Sequence, residues 1–208
     1  MGRDQLRWPS GETAHPITDP PWPAALTGIT ETVVTTRGPN GRWNAAALGL
    51  HGDGPVVTAQ TYGRTRTWRN LCADGRGVVN LTTDPMEFVR AALGVYEPEG
   101  AVLSGAAAVI EVTAAATREW TEGATKMTRW ELQPVWTNIR QWRLPTYRRG
   151  RIAVIDATVA ASRLDVPDAD EAALRAELHR CADIVARTGN DRDQEAFAMI
   201  DELTHWQD

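Results

Sequence analysis

Three arginines and two threonines stand together in Arg64-Thr65-Arg66-Thr67-Trp68-Arg69, and Asn70-Leu71 follow directly. The segment leaves a β-like run at residues 55–61 through Gly63 and opens what reads as a short helix. A turn of this kind suits a phosphate. The first N–H groups of a helix have no partner within it, and the helix dipole favours an anion there. Arg64 and Arg66 add forked, charged donors, and Thr65 and Thr67 add hydroxyls. Two readings stand at this point: a phosphate site, or a solvated turn with scattered charges.

A second candidate lies upstream. Thr32-Val33-Val34-Thr35-Thr36, the turn Asn40-Gly41 and Asn44-Ala45-Ala46-Ala47 suggest a hairpin with a face of small residues. Such a face lets a flat ligand lie against the backbone, and Asn44 offers both a donor and an acceptor to a polar ring edge. A plain hairpin packed on another element is the alternative. Trp130, Trp136 and Trp142 are separated by even numbers. On one unbroken strand they share a face and form an aromatic wall, or else an ordinary core or dimer interface.

Other chemistry is thin. His15 and His51 fall in loops, His179 and Cys181 diverge on a helix, and His205 lies near a helix end, so no metal site is expected. Ser10, Ser104 and Ser162 occupy none of the strained turns that expose a nucleophile. No catalytic residue can be assigned, as expected where a cofactor carries the reaction.

The elements that must position these residues follow from periodicity. Strands are expected at 30–37, 43–50, 55–61, 77–81 and 106–115, with a turn at 51–54. A further stretch, 129–142, reads as one strand or two because Pro134 interrupts the ladder. A helix should cover 67–73 and end at Asp74-Gly75. Asp84-Pro85 caps and starts another, through Leu93. Residues 94–104 form a loop with little pattern. Beyond 150 the chain turns helical. Ile152, Ile155 and Val159 have helical spacing. Pro167-Asp168 begins a helix with Asp168 and Glu171 spaced as a variant capping box, and its stripe is Leu174, Leu178, Cys181 and Val185. A last helix from Asp191 carries Phe197, Ile200 and Leu203. The expected organisation is an irregular, proline-rich arm over 1–28 pinned by Trp8 and Trp22, a β-rich body over 29–150 and a helical extension over 151–208: an α+β chain.

Composition narrows the function classes. The 208 residues carry a formal net charge of −5, against a nucleic-acid binder with a wholly basic surface. Cys72 and Cys181, far apart and in no C-x-x-C pattern, fit two buried thiols in a reduced, cytoplasmic protein. Residues 1–8 lack the apolar core of a signal peptide, and no apolar run nears the ~20 residues of a membrane span.

Taken in order, Thr35-Thr36, Asn44-Ala45-Ala46, Arg64-Thr65-x-Thr67-x-x-Asn70-Leu71 and Gly77-Val78-Val79-Asn80 resemble the FMN-binding split-barrel proteins of the flavin-reductase-like group. The similarity is greatest to a branch of unassigned function with a C-terminal helical extension. Arg148-Arg149, 153–157 and Ser162-Arg163-Leu164 resemble the start of that extension. The resemblance spans most of 30–204, and residues 94–145 depart from it. It implies a six-stranded Greek-key split barrel in a homodimer, with FMN near the subunit boundary. By that similarity Arg64, Thr65, Thr67 and Asn70 hold the phosphate. Thr35, Thr36 and the backbone of Asn44, Ala45 and Ala46 line the isoalloxazine, and Asn80 is structural or lies beside the ribityl chain. Arg148 and Arg149 are candidates to reach a neighbouring subunit's cofactor, or belong to a solvated turn. The resemblance implies a flavin-dependent oxidoreductase of unknown substrate. The alternatives are a non-enzymatic flavin binder whose helices dock a partner, and an enzyme acting on a pteridine-like heteroaromatic.

Overall fold

The computed structural model describes residues 26, 28–53, 56–141, 148–167 and 169–207. The expectations for the N-terminal arm, Trp8, Trp22, His15, Trp142 and Asp168 lie outside the described residues. Two compact units divide the chain. The first takes the chain up to Thr83 and again from Tyr96 through the last strand. The second takes Asp84–Val95 and the residues after 147.

The first unit is a closed antiparallel barrel in the order β1-β2-β3-β6-β5-β4. Its strands are β1 (Gly28–Arg37), β2 (Trp43–Asp53), β3 (Val56–Tyr62), β4 (Arg76–Thr82), β5 (Ala106–Glu122) and β6 (Thr125–Ile139), with helix α1 (Arg66–Asp74) between β3 and β4. Val34, Leu50, Val57, Val79, Ile110, Val112, Trp130 and Leu132 fill it, each from the inward face of its strand. The Trp130 indole N–H donates to Thr61 Oγ1 at 2.9 Å, so the ring is buried without an orphaned donor.

Three strand expectations need correction. Residues 51–53, expected in a turn, instead continue β2 and pair with 56–58 of β3. β5 runs seven residues past Ala115 because β6 pairs with it along its whole outer half, although that half is exposed and lacks apolar alternation. Pro134 does not divide β6. Pro134 pairs with Val112 and Trp136 with Glu111, which leaves Val135 as an extra, bulged residue. The bulge reverses the facing. Trp130 stands on the face of Val112 and Ile110, whereas Trp136 stands on the face of Glu111. The shared aromatic wall is therefore not formed by these two.

The second unit joins four helices: α2 (Pro85–Leu93), α3 (Arg149–Ala161), α4 (Glu171–Thr188) and α5 (Asp191–Thr204). Each supplies one apolar stripe to a common core of Val89, Ala153, Val154, Ala157, Leu178, Cys181, Val185, Phe197, Ile200 and Trp206. α2 lies between two barrel strands in sequence yet packs on α3 and α5. The start of α3 meets the end of α4 backbone to backbone: a Cβ on Gly150 would stand 2.5 Å from Gly189 Cα. Small residues make that approach possible, so α3 buries its alanines. The expected stripe is not the one used, and Ile152 is exposed. Leu203 is exposed too.

The caps also differ from expectation. α4 is capped by Asp170, whose Oδ1 accepts from Ala173 N at 3.0 Å. The reciprocal capping box is on α5, between Asn190 and Asp193. Asp193 is buried and also binds Arg148, Nη2 to Oδ2 at 2.7 Å, which commits Arg148 within this unit. Arg192 holds Asp84, the cap of α2, through two bonds of 2.6 and 3.0 Å. The architecture is α+β, a split barrel with a helical extension. No helix among the described residues is long and apolar enough to cross a membrane.

Candidate functional site

The site is built where β3 hands over to α1. Gly63 takes φ +70°, a conformation costly for any side-chain-bearing residue, and its N–H reaches Lys126 O at 2.6 Å. Thr65 is extended and caps α1, its Oγ1 accepting from Trp68 N at 3.2 Å. The helix closes on Gly75, whose N–H donates to Leu71 O at 2.9 Å. No acidic side chain stands in the first turn, so the positive end of the dipole is not neutralised from within the helix.

Against this helix lies the turn end of the β1–β2 hairpin, where Thr36 and Asn44 are directly opposed. Asn70 Nδ2 donates to Thr36 Oγ1 at 3.0 Å, and Asn44 Nδ2 donates to Thr67 Oγ1 at 3.1 Å. Thr36, Asn44, Thr67 and Asn70 thus form two rungs between hairpin and helix, and Thr36, Thr67 and Asn70 are buried. A hydroxyl that accepts one hydrogen bond keeps its own proton to donate. Thr65 and Thr67 accept at the start of α1, and Thr36 accepts beside Asn70 further along it, so each keeps an O–H to donate.

Other expected site residues are engaged elsewhere. Thr35 alternates with Thr36 and points to the opposite face. Its Oγ1 donates to Ala101 O at 2.5 Å. Asn80 Nδ2 reaches Ala101 O at 3.2 Å, and Asn80 Oδ1 accepts from Leu103 N at 2.9 Å. Arg140 Nη1 adds a bond to Leu103 O at 2.8 Å. This buried network straps residues 96–105 to the barrel. At the other end of the strap, Tyr96 O accepts from Ala45 N at 2.9 Å. Ala45 N–H is therefore occupied by protein, while Asn44 and Ala46 lie in the β1–β2 ladder opposite Thr36 and Val34.

The arginines divide. Arg64 lies over the Trp68 ring, 5.4 Å from its centroid, and no carboxylate holds it among the described residues. Arg66 is paired with Glu97 Oε1, and Arg42, on the hairpin, is paired with Glu97 Oε2 at 3.4 Å. Glu97 and Arg42 were not singled out from the sequence. Glu97 sits in a patternless loop 31 residues from its partner Arg66, and the long-range Tyr96–Ala45 bridge helps to bring it here.

Cys72, on α1, is exposed rather than buried. Desolvation and then the Glu119 carboxylate push its thiol up, and Arg64 pulls the other way. Among the described residues no group of three or more His, Cys, Asp or Glu side chains is placed to hold a metal ion.

Residues 30–141 match the N-terminal domain, and residues 148–202 the following domain, of a family described as protein of unknown function DUF447. The chain belongs to that family. Its fold is similar to the FMN-bound protein of Methanosarcina mazei assigned to the same family, with a TM-score of 0.71 and 23% identity over 85% of this chain and 95% of that one. More distant likenesses are flavoredoxin from Methanosarcina acetivorans (TM-score 0.42, 12% identity, 56% and 72% coverage) and an FMN-binding protein from Thermus thermophilus (TM-score 0.42, 14% identity, 64% and 81% coverage).

Proposed function

We propose that this chain binds FMN at the start of α1 and works as a flavin-dependent oxidoreductase. The observation that carries the reading is the pair of threonine hydroxyls, Thr65 and Thr67, each accepting a protein hydrogen bond and each left with a proton to donate, at a helix start free of acidic side chains. A phosphate monoester carries about −1.5 to −2 charge and only acceptor oxygens, so it suits donors alone. The M. mazei family member, described as FMN-bound, supports the choice of ligand.

Arg64, Thr65 and Thr67 would hold the phosphate, with Asn44 holding the Thr67 hydroxyl in position and Asn70 that of the neighbouring Thr36. Thr36 and Ala46, on one face of the β1–β2 ladder, would stand beside the isoalloxazine with small side chains, and Ala45, on the face of Thr35, would contribute backbone only. Thr35 and Asn80 would act at one remove, by fixing the strap over 96–105. When bound, FMN would supply the hydride or electron acceptor; the protein supplies orientation and electrostatics. The test is fluorescence titration of the purified protein with FMN and with riboflavin. FMN should bind much more tightly, and equal affinities would exclude a phosphate site. Turnover with a reduced nicotinamide then distinguishes an oxidoreductase from a flavin carrier.

The active form is proposed to be a homodimer in the cytoplasm. Ile29, Tyr62 and Val135 on the barrel are large, apolar and exposed, surface that a second copy would cover. Sedimentation at micromolar concentration should give twice the chain mass of 22.8 kDa. A monomer there refutes this part of the reading.

A further inference from the structure

Glu97 uses both carboxylate oxygens on cations: Oε1 on Arg66, in the first turn of α1, and Oε2 on Arg42, on the hairpin. Its position is not free to drift. The neighbouring Tyr96 is tied to Ala45, and Ala101 and Leu103 are tied to Asn80. Two of the arginines flanking the candidate phosphate position are therefore neutralised by a carboxylate from the strap, whereas Arg64 is not. Glu99 and Pro98 line the same shallow groove as Arg42, Trp43 and Glu97.

We infer that Glu97 is a specificity-determining residue, which restricts the site to flavins with a single terminal phosphate and disfavours dinucleotide flavins. The inference rests on the FMN reading. A terminal monoester needs one concentrated set of donors, and Arg64 with the threonine hydroxyls provides it. A pyrophosphate spreads its charge over two phosphates and needs further cations beside the first set. Here those cations are Arg42 and Arg66, already held by Glu97, with Glu99 adding a second negative charge to the groove. Like charge placed against the wrong ligand is a common route to discrimination.

The experiment titrates the wild-type chain and Glu97→Gln with riboflavin, FMN and FAD. The wild type should bind FMN well above FAD. The substitution is exposed and nearly isosteric, so the fold should stand, and circular dichroism verifies it. Glu97→Gln should raise FAD affinity by about fivefold, the size expected for releasing exposed ion pairs. Riboflavin affinity should not change, and FMN should gain less than FAD. Glu97→Ala should show the same order. Wild-type FAD binding equal to FMN, or an FMN-to-FAD ratio unmoved by both substitutions, overturns the inference. Equal wild-type binding of FMN and riboflavin is a different result: it overturns the phosphate site itself.

Discussion

The barrel and the helical unit bury polar side chains for different ends. In the helical unit, buried Asp193 serves structure: its Oδ2 completes the cap of α5 and holds Arg148, amid an apolar core. In the barrel, Thr36 and Thr67 are buried, and each hydroxyl accepts a bond from an asparagine amide yet keeps its own proton unspent beside α1. Buried polar groups are normally satisfied, and an unspent donor at a cationic helix start marks recognition rather than stability. The difference predicts that substitutions in the helical unit change folding, while those around α1 change ligand affinity.

The largest effect belongs to the helical unit. Leu178 is fully buried in the middle of the α4 stripe. Leu178→Ala should cost ~2–5 kcal/mol, the lost methyl groups plus the residual cavity. Urea unfolding measures it. Flavin affinity of the protein that remains folded should be unchanged. A parallel loss of affinity would mean that the two regions are coupled.

The reverse case is Arg64→Ala. Arg64 is exposed and makes no ion pair among the described residues, so unfolding should shift little. FMN affinity should fall by ~1.5–3 kcal/mol, the usual worth of a charged hydrogen bond, and riboflavin affinity should stay. Loss of both ligands equally would remove Arg64 from the phosphate.

How much of this contrast was legible beforehand depends on the range of the interaction. Asp84 and Pro85 announce α2 to the residue, because capping is local chemistry. The Leu178, Cys181, Val185 stripe was legible for the same reason. The outer half of β5 was not, since Ala115, Ala116 and Thr117 carry no alternation and only pairing with β6 makes them a strand. Pro134 looked like a break, but the bulge beside it absorbs the missing donor. At the site, Thr65, Thr67 and Asn70 read as donors on one turn. The rungs Asn70–Thr36 and Asn44–Thr67 span 34 and 23 residues, and no local pattern encodes them. Thr35 and Thr36 read as a pair, and strand alternation separates them.

The two cysteines test the contrast through pH. Burial, and then Glu177, push the Cys181 thiol up to about 11 from an ordinary value of 9.0. The folded state therefore holds this proton more tightly than the unfolded state. Its contribution to stability is complete below pH 9.0 and is lost as pH climbs towards about 11. Wild-type stability should decline over that window more steeply than that of Cys181→Ala. At pH 8 a thiol reagent should label the exposed Cys72 and spare Cys181.

The smallest effect gives the cleanest separation, because the same chemical loss can be made in each region. Thr65 caps α1 and Asp170 caps α4, each accepting one backbone N–H, at 3.2 and 3.0 Å. Thr65→Ala and Asp170→Ala should each cost ~1 kcal/mol of stability. Their ligand effects should part. Thr65→Ala also deletes a hydroxyl donor at the helix start, so FMN should bind more weakly while riboflavin does not. Thr65→Ser restores cap and donor together and should recover both properties. Asp170→Ala should leave FMN affinity at the wild-type value. Should Thr65→Ala lose only stability, like Asp170→Ala, then its hydroxyl is a cap and nothing more. The phosphate would rest on Arg64 and Thr67 alone.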